Sequence, residues 1–160
     1  MVLTAFLFPS CGEKDHEVAI RSLVKQGAVH AEKHDISGIL SLASEDLKVL
    51  PGDIDRREVR RILWIAFRHY GDFKVIYPQP EVNLVKDGLS ASAEFPFLIV
   101  KKEQSFPNLT DLFNEPQRWL EEVGENADLY RLKLRPSNKR GEWLVTQAHL
   151  ERFTGLGFND

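Results

Sequence analysis

The sequence predicts an α+β fold in which three N-terminal helices pack on a strongly curved, mainly antiparallel sheet. Apolar residues recur at helical spacing over much of residues 17–70, whereas they alternate with polar residues over much of the second half of the chain. Several prolines fall inside the alternating segments, and a proline within a strand indicates an edge, a bulge or a bend. The sheet is therefore expected to curl around the helices.

The composition fits one globular domain. The chain has 160 residues, of which 42% are hydrophobic, and a formal net charge of −3, so it is long enough to bury a core. The small negative charge gives no general attraction to nucleic acid or to anionic membranes. We expect a single domain over residues 17–153, preceded by a tail or truncated signal at residues 1–16 and followed by a tail at residues 154–160.

The N-terminal residues are similar to the end of a bacterial lipoprotein signal. An apolar run over residues 2–8 is followed by Ser10, Cys11 and Gly12, which matches a small residue before an acylated cysteine. The run is short and no basic residue precedes it. The alternative is an apolar tail or edge strand docked on the domain. Lipidation at Cys11 would anchor the protein in the bacterial cell envelope, whereas the alternative is a cytoplasmic protein.

Two helices and a short strand are predicted first. Residues 17–34 have the periodicity of an amphipathic helix. Asp35 favours a helix N-terminus, and a short helix over residues 36–43 is predicted to follow it. A short strand over residues 47–50 comes next. The apolar stripe of the first helix consists of Ile20, Leu23, Val24, Gly27 and Ala31.

The third helix is predicted over residues 56–70. Asp53 or Asp55 supplies its N-terminal cap, and Gly71 ends it. Its exposed side is basic and also contains Trp64. Such a side is either a solvated face paired with neighbouring carboxylates or an anchor for an acidic partner. The arginines on that side are Arg57, Arg60 and Arg68.

Two long strands are predicted after the third helix. The first covers residues 73–86 and is interrupted by the Pro-Gln-Pro sequence at residues 78–80. Asp87 and Gly88 form a strong hairpin signal. The partner strand covers residues 89–101. Two long strands bent at prolines indicate strong curvature of the sheet.

Residues 103–126 are too long for a simple hairpin connection. They contain a predicted short helix, and long connections with their own structure are often lids or binding loops. We expect this insertion to be a lid or an interaction segment. The apolar side of its helix consists of Trp119, Leu120 and Val123.

A hairpin closes the predicted sheet. Residues 128–135 alternate as a strand, residues 136–141 have turn composition, and residues 142–150 return as the second strand. Strict alternation puts two sets of side chains on opposite faces of the returning strand. One face has Trp143, Val145, Gln147 and His149, and the other has Leu144, Thr146, Ala148 and Leu150.

The element order and the last strand resemble the nuclear-transport-factor-two-like superfamily of cystatin-like folds, including its polyketide-cyclase-like members. Its last strand often begins with Gly-x-Trp and continues to a polar residue, and this chain has Gly141, Trp143 and His149. The resemblance implies a cone in which the sheet curls around the long helix, with a pocket between helices and sheet. Isomerases, dehydratases, hydrolases and non-catalytic binders all use this fold.

The resemblance leaves several catalytic schemes unsupported. The ketosteroid-isomerase-like members use a tyrosine from the first helix, which residues 17–34 lack, and no Asp-Arg-Asp set of the epoxide-hydrolase-like members is present. His30 and His34 are four residues apart, a spacing that suits a metal, but a role at the helix end is the simpler interpretation. We expect no metal and no cofactor. If the strand face with Gln147 and His149 is concave, these two residues line the pocket, and if it is convex, they lie on a solvent or dimer face. The candidate pocket-lining residues are Gln147, His149, Tyr130, His34 and Trp119.

The sequence favours a non-catalytic domain of the bacterial envelope that binds a small apolar ligand or a partner protein. The alternative is a cofactor-free isomerase, dehydratase or cyclase in which His149 is the base. Members of the resembled superfamily often dimerise through the outer sheet face, so a homodimer is a further expectation. Nucleic acid binding is disfavoured by the negative charge and by the lack of spaced, exposed aromatic residues.

Overall fold

The helices and strands follow the predicted order. The computed structural model describes residues 11–102, 114–115, 118, 127–154 and 157–159. An α+β architecture with helices on one face of a curled sheet confirms the predicted fold class. The elements are α1 (Cys11–Glu32), α2 (Ile36–Ser41), β1 (Ala43–Leu50), β2 (Ile54–Asp55), α3 (Arg56–Tyr70), β3 (Phe73–Ile76), β4 (Glu81–Leu84), β5 (Ala91–Lys101), β6 (Asp128–Lys139), β7 (Glu142–Phe153) and β8 (Phe158–Asn159).

The described strands form one mixed sheet. Its order is β2-β1-β7-β6-β5-β3, with β4 also paired to β5 and β8 paired to β7. The β1–β7 pair is parallel, and the other pairs between described strands are antiparallel. The prediction of a mainly antiparallel sheet is therefore confirmed. Among the described residues, no helix is long and apolar enough to cross a membrane.

The first helix differs from its prediction at both ends. It begins at Cys11 rather than at residue 17, and it ends at Glu32. His34 was predicted inside the helix, but it has a φ of 55° and lies in the turn that follows. A residue in this left-handed conformation cannot continue a right-handed α-helix, so the helix ends before His34.

The ends of α2 and α3 follow the predicted local chemistry. The Gly38 amide donates to Asp35 at 2.9 Å, and the Glu58 amide donates to Asp55 at 2.9 Å. Asp55 is therefore the cap of α3, and Asp53 is not. Gly71 ends α3 with a φ of 61°, a conformation that glycine adopts without steric cost.

The broken strand at residues 73–86 pairs twice with the same neighbour. β3 pairs with the last residues of β5, and β4 pairs with its first residues. The prolines at residues 78–80 fall between the two pairings, as predicted for a bend. In the turn that follows, Asp87 accepts hydrogen bonds from the Leu89 and Ser90 amides, at 2.8 and 3.1 Å.

The closing hairpin corrects the sequence analysis. β6 does not end at residue 135 but continues through Pro136 to Lys139, and the turn is the pair Arg140-Gly141, with φ values of 57° and 87°. Two consecutive residues at positive φ are typical of the tightest hairpin turn. The predicted turn at residues 136–141 was therefore too long.

A bulge in β7 reverses the faces of the strand. Arg135 pairs with Gln147 and Pro136 pairs with Val145, so no residue of β6 lies opposite Thr146 in the register of the two strands. An extra residue in one strand moves all the following side chains to the opposite face. The bulge suits Pro136, which has no amide hydrogen for a regular ladder. Strict alternation was therefore the wrong reading of β7.

Candidate functional site

A cavity of about 460 Å³ lies between the inner face of the sheet and the three helices. We call it the inner cavity. Among the described residues that line it, only the tyrosines have polar side-chain atoms. It is lined by Leu23, Val24, Gly27, Ala28, Ala31, Ile39, Leu42, Ala43, Leu47, Val49, Val59, Ile62, Leu63, Ala66, Phe67, Tyr70, Phe73, Val75, Tyr77, Phe95, Phe97, Ile99, Tyr130, Leu132, Leu134, Val145, Ala148 and Leu150.

The sequence of α1 explains why the space is not filled. The first half of its apolar stripe has large side chains, including Ile20, which is fully buried. The second half has Gly27, Ala28 and Ala31, all of which line the inner cavity. A helix with small residues cannot reach the sheet from the same distance, so it leaves a void where its large residues end.

The inner cavity communicates with solvent beside α3. Ile62 of α3 is 43% exposed and Leu150 of β7 is 39% exposed, although both line the cavity. Leu150 lies on the inner face of the sheet, so its exposed area faces the opening. From the exposure of these two lining residues we infer that the cavity opens between α3 and β7.

A hydrogen-bonded cluster closes the end of the cavity at which β6 begins. The Tyr70 hydroxyl donates to an oxygen of Asp128 at 2.7 Å and lies 2.8 Å from the Tyr130 hydroxyl. Arg152 donates to the other oxygen of Asp128 at 3.0 Å. Because the Tyr70 hydroxyl hydrogen is already used in the hydrogen bond to Asp128, Tyr130 must be the donor in the hydrogen bond between the two tyrosines. We call these four residues the tyrosine cluster.

Burial and hydrogen bonding keep the phenols protonated. The pKa of Tyr70 is raised well above its ordinary value, first by burial and then by its hydrogen bonds with Tyr130 and Asp128. The pKa of Tyr77 is also raised, mainly by burial and secondly by the charge of Glu32. At neutral pH Tyr70 and Tyr77 are therefore hydrogen-bonding groups and not bases.

Comparisons with solved structures agree with the fold described above. A putative scytalone dehydratase from Novosphingobium aromaticivorans superposes with a TM-score of 0.66 at 11% identity, covering 89% of this chain and 87% of that chain. A hexachlorocyclohexane dehydrochlorinase LinA-type3 from Novosphingobium barchaimii gives 0.65 at 10% identity, covering 92% and 91%. A nuclear-transport-factor-two-like protein of unknown function from Pseudomonas putida gives 0.66 at 14%, covering 88% and 89%.

The chain has the cystatin-like fold of nuclear-transport-factor-two-like proteins. At these identities the likeness shows the fold alone. No protein-family model matches the sequence, and no curated protein matches it.

The nuclear-transport-factor-two-like fold brings only some of the predicted site residues to the cavity. Tyr130 lines it. Gln147 and His149 do not, because the Thr146 bulge turns them to the outer face and puts Ala148 and Leu150 inside. Trp119 lies outside the described residues, as does the side chain of Cys11, so neither prediction is tested.

His30 and His34 have separate hydrogen-bond partners. His30 Nδ1 lies 2.9 Å from an oxygen of Asp35, and His34 donates from Nε2 to the Gly71 carbonyl at 2.8 Å. The ring of His34 also stacks on Phe67 and Phe73, which line the cavity, so His34 lies behind the wall. In the part of the chain that the structure describes, no group of three or more His, Cys, Asp or Glu residues is placed to hold a metal.

Sequence reasoning missed Tyr70 and Asp128 as site residues. The sequence predicts Tyr70 only as the last residue of the third helix and Asp128 only as the first residue of the closing hairpin. One signal was present in the sequence. Asp128 begins a strand two residues before Tyr130, and an acidic residue beside an inward-facing tyrosine can bind a second tyrosine from another element. The sequence does not show that the end of α3 lies over the start of β6.

Proposed function

We propose that this protein binds a small, mainly apolar molecule in the inner cavity. The observation that carries the proposal is a void of about 460 Å³ whose lining, over the part of the chain that the structure describes, has polar side-chain atoms only on tyrosines. Ligand cavities of proteins begin at about 300 Å³ and combine apolar walls with a few placed polar groups. Such a cavity favours an apolar ligand, because apolar surface removed from water contributes roughly 25 cal/mol per Å².

The tyrosine cluster gives the ligand a preferred orientation. Tyr130 donates its proton towards Tyr70, so its oxygen is left to accept a hydrogen bond from the cavity side. A ligand with one hydroxyl or phenol group would satisfy that oxygen, whereas a ketone or ester would need Tyr130 to break its bond with Tyr70. We therefore infer a preference for an apolar molecule with a hydrogen-bond donor at one end.

A binding role fits this cavity better than catalysis does. A general base needs a pKa near the working pH, and the raised pKa of Tyr70 excludes it from that role. His149, the base of the alternative enzyme hypothesis, lies on the outer face. The dehydratase and dehydrochlorinase names describe those two neighbours, and none of the described residues that line the cavity is a histidine, aspartate or glutamate.

Ligand binding by variants with an added ring inside or outside the cavity tests the proposal. Ala66 lines the cavity from α3, so Ala66→Phe should occupy part of it, whereas Ala19→Phe adds the same ring to an exposed position of α1. Wild-type protein and Ala19→Phe should bind an apolar fluorescent dye and retain apolar molecules in native mass spectrometry. Ala66→Phe should bind the dye more weakly and retain less of the apolar molecules, because less space is left for them. Equal binding by the two variants would contradict a site in the inner cavity.

We also propose that residues 103–126 serve as a lid. β5 ends at Lys101 and β6 begins at Asp128, which binds Arg152 of β7. Arg152 is two residues after Leu150 at the opening, so both attachment points of this segment lie near the opening. Replacing residues 103–126 by a short glycine-containing turn should give a folded protein that exchanges ligand faster. A shortened protein with unchanged exchange, altered only from dimer to monomer, would identify the segment as an assembly element.

An envelope location and a homodimer stay as proposals. The sequence Ser10-Cys11-Gly12 supports lipidation at Cys11, and expression in a bacterial host with the natural upstream sequence should give lipid-modified, membrane-bound protein. Soluble and unmodified protein would contradict that location. Dimerisation through the outer sheet face would appear in analytical ultracentrifugation as twice the 18.3 kDa mass of the chain.

A further inference from the structure

The side of α3 that faces away from the cavity combines cations with exposed apolar side chains. Its central positions follow one another at spacings of four, three and four residues, which is one stripe of a helix. Trp64 and Ile65 are each 54% exposed. We call this surface the α3 outer face, and it consists of Arg57, Arg60, Arg61, Trp64, Ile65 and Arg68, all of them exposed.

The positive charge of the α3 outer face is only partly compensated. Arg61 pairs with Glu58 at 2.7 Å, and the Arg68 guanidinium lies 4.9 Å from the centre of the Trp64 ring. Neither Arg57 nor Arg60 forms a salt bridge with a carboxylate among the residues that the structure describes. A chain with a net charge of −3 thus places four arginines and one carboxylate along one exposed helix surface.

We propose that the α3 outer face docks on an anionic lipid surface. Basic helices with exposed tryptophan and aliphatic residues lie in the interface of membranes, where the cations meet headgroups and the apolar side chains enter the acyl boundary. The face is a single convex helix, so it offers no groove for an acidic peptide. A flat anionic surface contacts the whole stripe at once.

The cavity opening lies next to the α3 outer face. Ile62, which is half-exposed at the opening, is three residues before Ile65 on the same helix, so the two are neighbours. A docked α3 places the opening beside the bilayer. That part of the inference rests on the proposed function, since an apolar ligand would be taken from the membrane. Docking itself depends only on the α3 outer face.

Vesicle sedimentation tests the docking. Unlipidated protein should sediment with vesicles of phosphatidylglycerol and phosphatidylcholine, should not sediment with pure phosphatidylcholine, and should dissociate at high salt. Each basic residue at an anionic surface changes partitioning roughly fivefold, so Arg57→Gln with Arg60→Gln should weaken it about 25-fold. The matched control is Arg135→Gln with Arg140→Gln, two exposed arginines outside α3, which should sediment like wild type.

Several outcomes would overturn the proposal. Equal sedimentation with neutral and anionic vesicles would contradict it, as would equal losses in the two double variants. A change from dimer to monomer on Trp64→Ser, without loss of vesicle binding, would show that a second copy covers this face. Dye binding separates the two proposals, because the arginine variants should keep a functional cavity and Ala66→Phe should keep vesicle binding.

Discussion

The two ends of the inner sheet face are packed in different ways. At the filled end, Ile20, Ala91, Ala93 and Trp143 are all buried in one continuous core. At the hollow end, Phe97, Ile99 and Tyr130 are only half-buried and face the inner cavity. Both ends belong to the same strands and contact the same first helix. The difference arises because the first helix has large side chains such as Ile20 at one end and the small residues Gly27, Ala28 and Ala31 at the other.

The two ends are held together by different kinds of interaction. The filled end is held by apolar packing. Around the hollow end, Tyr70 is bound to Asp128, His34 is bound to the Gly71 carbonyl, and Glu151 on the outer face binds Arg131 and Lys133. These directional bonds fix the positions of α3 and of the strands where packing does not. We therefore expect the filled end to respond to changes of volume and the hollow end to changes of pH and hydrogen bonding.

The largest expected effect is at the filled end. Trp143 is 8% exposed and donates from Nε1 to His16 at 3.3 Å. Trp143→Ala should lower the free energy of unfolding by about 3–5 kcal/mol in urea titrations. Phe97→Ala, which enlarges a void that already exists, should cost clearly less. A loss below about 1 kcal/mol for Trp143→Ala would mean that the filled end is not well packed.

The second effect compares the same substitution at both ends. Ala93 is 1% exposed in the core, so Ala93→Leu should overpack it and destabilise the fold by about 1–3 kcal/mol. Ala66 lines the inner cavity, so Ala66→Leu has room and should change stability by less than about 0.5 kcal/mol. Thermal unfolding of the two variants measures the contrast. Equal destabilisation would break the distinction between the two ends.

An intermediate effect is expected from pH. Hydrogen bonds from Arg131 and Lys133 lower the pKa of Glu151 from 4.5 to about 2. A folded-state pKa below the unfolded value contributes stability above pH 4.5, and that contribution is lost as the pH falls towards 2. Urea midpoints at pH 7 should be lower for Glu151→Gln than for wild type, and the difference should shrink below pH 4.5. A constant difference would exclude this ionisation as its source.

The smallest effect should come from the tyrosine cluster. Tyr70→Phe removes the hydroxyl that bonds Asp128 and Tyr130, which should cost about 1 kcal/mol. The loss should be local, so amide hydrogen exchange should accelerate at the end of α3 while that around Ile20 in α1 is unchanged. Tyr77→Phe, with no hydrogen bond to this cluster, is the control. Acceleration along the whole chain would show that the cluster does not act on the hollow end alone.

Features that depend on neighbouring residues were predictable from the sequence. The limits of α3 follow from the Asp55 cap and Gly71, and the break in the third strand follows from the prolines at residues 78–80. Asp87 and Gly88 specified their turn in the same way. In each case the responsible atoms lie within a few residues, so the local sequence contains the cause.

Features that depend on pairing between distant residues were not predictable. The bulge at Thr146 exists because of how β7 pairs with β6, and its only local sign is that the polar residues Thr146 and Gln147 are adjacent. Tyr70 and Asp128 meet across 58 residues of chain, so neither position alone indicates the cluster. The sequence therefore indicated a pocket and one lining residue, Tyr130, but left open whether Gln147 and His149 face that pocket, and the bulge puts both on the outer face.

The bulge also makes the chemistry of the cavity wall depend on the pairing of one residue. If Thr146 entered the ladder opposite β6, the side chains that follow it would turn over. Gln147 and His149 would then replace Ala148 and Leu150 on the inner face. A change of pairing at one position thus separates a wall of hydrocarbon from one that contains an imidazole, which is a short evolutionary route between a binding protein and an enzyme.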